Sequence, residues 1–85
     1  MDINDISINY IIKNAGLLQY FEWGGAGTFT AECGQLSFEV DTFNRDIVIR
    51  DKDSDSKVKF RHIWPAQMQA LLDAINWDFE EEEAA

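Results

Sequence analysis

Leu36-Ser37-Phe38-Glu39-Val40-Asp41, followed four residues later by Asp46-Ile47-Val48-Ile49-Arg50-Asp51, decides how this chain folds. In the first run Leu36, Phe38 and Val40 alternate with Ser37, Glu39 and Asp41. A period of two belongs to a strand with one buried and one wet face, predicted here over residues 35–41. The second run has an apolar centre, Ile47-Val48-Ile49, suited to a more central strand. Residues 28–33 precede the pair, separated from it by Gly34. Lys52-Asp53-Ser54-Asp55-Ser56 has turn chemistry, and a further strand is expected over residues 57–63. There Val58, Phe60 and His62 fall on one face and Lys57, Lys59 and Arg61 on the other. The acids of residues 36–41 and this basic stripe are expected to pair across one sheet.

The period changes toward both ends. Ile8, Ile11, Ile12 and Ala15 follow the i, i+3, i+4, i+7 spacing of a helix face. Asp5 or Ser7 can cap that helix, and Gly16 suits the C′ position, where φ turns positive. Residues 17–23 are aromatic and apolar, and read as a strand or as an extension of the helix. Pro65 opens the last element, in which Met68, Leu71, Leu72, Ile75 and Phe79 form an apolar stripe over residues 65–79. The expected fold class is therefore α+β: an N-terminal helix, a four- or five-stranded antiparallel sheet, and a C-terminal amphipathic helix on one sheet face. The single domain is placed at residues 1–79, with a frayed acidic tail at 80–85, where carboxylates oppose the negative end of the helix dipole.

Eighty-five residues make one domain, and 46% hydrophobic residues with eleven aromatics exceed what a disordered acidic chain carries. Most of the apolar side chains are needed inside, which leaves little interior for an enclosed active site. Cys33 is alone and no intramolecular disulfide is possible, the N-terminus is acidic rather than basic, and no apolar run approaches the ~20 residues of a membrane span. A cytoplasmic protein without membrane partners is the expectation.

The net charge of −9 is unevenly spread. Residues 1–44 carry −5, residues 45–61 carry +2, and residues 62–85 carry six acids and no base. A surface this acidic repels phosphate backbones, so direct nucleic-acid binding is not expected, and a basic protein surface is the natural partner. Nucleic-acid enzymes commonly carry such surfaces.

Sites for chemistry are weak. Asp51, Asp53 and Asp55 open like a calcium-binding EF-hand loop, but position six is Ser56 where Gly is needed, and position twelve is His62 where a bidentate Glu is needed. His62 is the only histidine, and no spaced cysteine pair exists to complete a zinc site. Cys33 and His62 form a nucleophile–base pair only if the fold brings them together; a lone Cys beside Gly34 is more often a packed or turn residue. The glycines of residues 24–27 lack the Lys-Ser/Thr of a phosphate-binding loop. They read as a turn, or as a contact loop if Phe21, Trp23 and Phe29 stay exposed. No catalytic residue, cofactor or metal ligand is assigned.

Partner contacts are expected instead from Glu22, Trp23, Glu32, Glu39 and Asp41, or from Asp73, Trp77, Asp78, Glu80, Glu81, Glu82 and Glu83. The ordinary alternatives are core packing for the tryptophans and a solvated tail for the acidic run. Trp77 stands out as an aromatic anchor rimmed by acids, which a basic groove would accept.

In size and charge alone, the chain resembles the small acidic inhibitors that bacteriophages encode against host nucleic-acid enzymes. These include anti-restriction and anti-CRISPR proteins, some of which mimic DNA. That resemblance covers no motif and implies no residue roles. The leading expectation is a protein-binding inhibitor docked on the basic surface of a nucleic-acid enzyme. The alternative is a non-catalytic interaction module, such as a toxin-nuclease immunity protein, an assembly subunit or a homodimer. A minimal enzyme fits least, for want of a convergent acid, base and nucleophile.

Overall fold

A computed structural model describes residues 5–25 and 27–76. Helix α1 spans Ile8–Lys13, a 3-10 turn follows at Ala15–Leu17, and five strands come next. These are β1 (Gln19–Trp23), β2 (Thr28–Cys33), β3 (Leu36–Asp41), β4 (Asp46–Asp51) and β5 (Lys57–Phe60), and helix α2 (Pro65–Ala74) closes the order. The strands form one antiparallel sheet in sequence order, β1-β2-β3-β4-β5. The α+β fold expected from the alternating and helical periods is the fold observed.

The pleat assigns the two faces. Phe29 pairs with Val40 and Ala31 with Phe38, and these pair in turn with Ile47 and Ile49 on β4. All six are buried, and they meet Ile11, Ala15, Met68, Leu71 and Ile75 from the helical layer in one core. Fully burying a side chain of this size contributes about 1.5–3 kcal/mol, which a small domain needs to offset chain entropy. Both helices lie on this face. The other face carries Glu22, Thr30, Glu39, Val48 and Lys59 in one cross-strand row, and Gln19, Glu32, Ser37, Arg50 and Lys57 in the next. No described helix covers it.

Helix α1 begins where the sequence places its cap: the Ser7 Oγ accepts from the Tyr10 N–H at 3.1 Å. Its end differs. Asn14 closes the helix, and Gly16 lies within the 3-10 turn rather than at a left-handed C′ position. The left-handed glycines are Gly27 and Gly34, each in a hairpin connection. Residues 17–23 divide between the 3-10 turn and β1. Between Gln19 and Glu22 the strand holds one residue more than β2 does opposite, and Tyr20 takes φ 58° in the resulting bulge.

Strand β5 ends at Phe60, three residues short of the expected 57–63. His62 turns to φ 54°, and its N–H is taken by the Asp46 carboxylate at 3.0 Å. His62 is therefore exposed instead of sharing the buried side of Val58 and Phe60. Helix α2 ends at Ala74, with Ile75 already extended at φ −68° and ψ 138°, so the helix stops short of the expected 65–79. The Gln67 side chain accepts from the Trp64 N–H at 2.8 Å and satisfies a donor at the helix start. Residues 77–79 and the expected tail at 80–85 lie outside the described residues. Among the described residues no helix is long and apolar enough to cross a membrane.

Candidate interaction surface

The uncovered sheet face brings together four of the acids singled out in the sequence. Glu22, Glu32, Glu39 and Asp41 all project there from β1, β2 and β3, and Asp46 joins them from the start of β4 opposite Asp41. Neighbouring strands lie ~4.8 Å apart and alternate residues of one strand ~7 Å apart. The five carboxylates thus stand on one half of a single face. Of the bases of that face, Arg50, Lys57 and Lys59 stand on the other half, and Lys52 reaches Glu32 from the turn after β4.

This separation corrects the expected pairing of acids with the basic stripe. Strand β4 lies between β3 and β5, so Glu39 faces Val48 and Val48 faces Lys59. Arg50 sits directly opposite Lys57, a like-charge pair. The ion pair formed among the described residues is a different one, Lys52 Nζ to Glu32 Oε1 at 2.7 Å, which ties the turn after β4 to β2. Both side chains are more than 40% exposed, so the pair contributes little to stability.

A shallow hollow of about 400 Å³ opens at the acidic half, over Thr28, Thr30, Glu39, Asp41, Asp46 and Val48, with Gly24 at its rim. Two of its three carboxylates have local work. Asp41 Oδ1 accepts the N–H groups of Phe43 and Asn44 at 3.0 Å, and its Oδ2 accepts from the Asn44 side chain at 2.8 Å. The Asn44 backbone bond, then its amide side chain, then the Phe43 N–H hold the Asp41 carboxyl below the ordinary carboxylate range. Asp46 holds the His62 N–H. The Glu39 side chain is exposed and takes no hydrogen bond among the described residues.

Other candidates are placed elsewhere. Trp23 registers opposite Phe29, so it lies on the helix side of β1, with its ring 4.9 Å from that of Phe29 and 59% exposed. It does not share a face with Glu22. Phe29 is buried and Phe21 half-buried, so of the three aromatics flanking residues 24–27 only Trp23 is largely open. Asp73 lies in the helical layer, where it accepts from the Gln69 side chain at 2.9 Å. Trp77, Asp78, Glu80, Glu81, Glu82 and Glu83 lie outside the described residues. Trp64, expected at the core or its edge, is 73% exposed beside Pro65.

The fold does not bring Cys33 and His62 together. Cys33 closes β2 at the end of the strands where β5 begins, whereas His62 follows β5 at the opposite end. The strands between them are six residues long, which is ~20 Å. Asp51 is buried and works as the anchor of its turn. Its Oδ1 accepts from Asp53 N–H at 2.9 Å, and its carbonyl accepts from Asp55 N–H at 2.8 Å. No cluster of His, Cys, Asp or Glu among the described residues could hold a metal ion.

Two contributors to the surface went unnoticed in the sequence. Asp46 was hidden because Ile47-Val48-Ile49 reads as buried on both sides; the parity of Ile47 and Ile49 was the signal that Asp46 and Val48 face outward. Tyr20, 74% exposed, has no signal short of the bulge itself. Comparison with protein-family models, curated proteins and solved structures gives no match to this chain.

Proposed function

We propose that this chain is a non-catalytic binding module that docks the acidic half of its open sheet face on a basic surface of a partner protein. One observation carries the reading: Glu22, Glu39, Asp41 and Asp46 share an uncovered face with Glu32, and of the bases on that face Arg50, Lys57 and Lys59 are confined to β4 and β5 while Lys52 pairs with Glu32 alone. Carboxylates gathered this way attract a basic surface over ~10 Å at 0.1 M salt and speed encounter with it. The nucleic-acid groove of an enzyme is the kind of surface such a face fits. An inhibitor of the sort bacteriophages encode would occupy that groove, and a nuclease immunity protein would use the same contact. The net charge of −9 argues against nucleic acid as the direct ligand.

The test is capture of partner protein from a host lysate at 0.1 M and 0.5 M salt by three immobilised forms of equal fold. Wild type is compared with Glu22→Lys/Glu39→Lys, which reverses the face. The control Asp53→Lys/Asp73→Lys changes net charge equally, but on the turn and the helical layer. Proteins held by wild type and the control at low salt should be held roughly tenfold less by the face variant, and lost at high salt. Equal capture by all three forms would overturn the proposal.

A further inference from the structure

One buried carboxylate keeps an oxygen that the fold does not use. Cys33, Leu36 and Asp51 stand in register on β2, β3 and β4, on the core side of the sheet at the end where β5 begins. Asp51 is 9% exposed and is the one charged side chain buried among the described residues. Its Oδ1 accepts the N–H groups of Asp53 at 2.9 Å and Ser54 at 3.4 Å, while its Oδ2 accepts no hydrogen bond among the described residues. No fully buried side-chain polar atom among those residues lacks a partner, so Oδ2 reaches solvent. Lys52, the next residue, is committed to Glu32 at 2.7 Å, and Asp51 itself forms no ion pair among the described residues. A carboxylate taken this far out of water is costly without a counter-charge.

Asp51 lines a hollow of about 360 Å³ beside the start of α1, together with Ile6, Tyr10, Cys33, Gln35 and Leu36. That volume lies at the small end of ligand sites, and the lining is of their usual kind, apolar surface with a few polar groups. The free oxygen decides the chemistry. A guanidinium fork binds a carboxylate best through both oxygens, and Oδ1 is already bonded to the turn. An ammonium needs only one acceptor for each of its three N–H groups. Oδ2 is one, and the Tyr10 hydroxyl and the Gln35 amide oxygen are further acceptors in the same lining. We propose that this hollow binds a small primary amine in its ammonium form, with the nitrogen on Asp51 Oδ2 and a short alkyl chain against Ile6, Leu36 and Tyr10. The site lies on the helical side of the sheet, so the inference goes beyond the docking proposal and does not need it.

Cys33, the only cysteine of the chain and part of the lining, reports occupancy. The test follows the rate of its alkylation by iodoacetamide in the full chain, while n-butylammonium chloride replaces sodium chloride at constant ionic strength. n-Butanol is the neutral control, and glutathione alkylated in the same buffers corrects for changes in the reagent. Butylammonium should slow Cys33 saturably, and butanol at equal concentration should not. In Asp51→Asn, which keeps an Oδ1 acceptor for the Asp53 and Ser54 N–H groups, half-maximal protection should need roughly tenfold more butylammonium, the loss of one charge-assisted hydrogen bond. Three results would each overturn the site: no saturable protection by butylammonium, equal protection by butanol, or an unchanged midpoint in folded Asp51→Asn. The comparison of butylammonium with butanol uses wild type alone, so it decides the matter even if the variant does not fold.

Discussion

Arg45 and Ile63 hold each other by two hydrogen bonds in opposite directions: Arg45 Nε donates to the Ile63 carbonyl at 2.9 Å, and the Ile63 N–H donates to the Arg45 carbonyl at 3.0 Å. The clasp joins the turn before β4 to the chain after β5 and sets the path by which Ile63 enters the core ahead of α2. Arg45 sustains φ 58° to make it. A hydrogen bond from a charged donor contributes about 1.5–3 kcal/mol, so Arg45→Ala should destabilise the fold by about that much in urea unfolding. Arg45→Gly loses the same bond but should cost less than Arg45→Ala, because glycine accepts positive φ without strain. Equal stability of wild type and Arg45→Ala would show that the clasp is idle.

The helical layer depends on α2. Leu71 is 1% exposed and sits in the core between the sheet and α1. Leu71→Ala should cost about 2–5 kcal/mol, from lost burial and from the cavity left behind. A change within ±0.5 kcal/mol, the range of ordinary surface substitutions, would show that the stripe of α2 is not core.

Tyr20 takes a left-handed conformation that costs a residue with a side chain about 1–2 kcal/mol, and its ring is 74% exposed. Tyr20→Gly should therefore leave stability unchanged or raise it by up to ~1 kcal/mol, the strain relief being partly offset by the entropy of glycine in the unfolded chain. A loss greater than ~1 kcal/mol in thermal or urea melts would mean that the ring supports the edge strand.

Asp41 makes the fold sensitive to acid. Its carboxyl is held below the ordinary range by Asn44 and Phe43. A group depressed on folding adds stability that is fully present above its unfolded pKa, about 3.9, and is lost as pH falls through the folded value. Melting temperatures followed from pH 7 to pH 2 should fall less steeply below about pH 4 in Asp41→Asn than in wild type, from a lower starting value. Parallel curves would remove Asp41 from the acid transition.

Much of this architecture is written in local periods. The alternation Leu36, Phe38, Val40 fixes which side of β3 is buried, and Met68, Leu71 and Ile75 fix the core side of α2. Boundaries set by single tertiary bonds are not legible in the same way. Nothing around His62 announces that the Asp46 carboxylate will catch its N–H and stop β5, and nothing in Gln19-Tyr20-Phe21-Glu22 announces a bulge. The surface was legible as residue types and not as an arrangement. The acids of β1 to β3 were identified, but their relation to Lys57 and Lys59 depends on β4 lying between, which is a matter of strand order. Trp23 and Glu22 are neighbours in sequence on opposite faces, so an anchor and its acidic rim cannot both be built from that pair.

The most direct measurement of the central claim is an amide hydrogen-exchange footprint of the protein with a partner captured by wild type. Binding through the acidic half-face should slow exchange along β1 to β3 and at the start of β4, around Glu22, Thr30, Glu39 and Asp46, and leave α1 and α2 unchanged. Protection confined to the helical layer, around Gln69 and Asp73 on α2, with exchange at Thr30 and Glu39 unaltered, would contradict it.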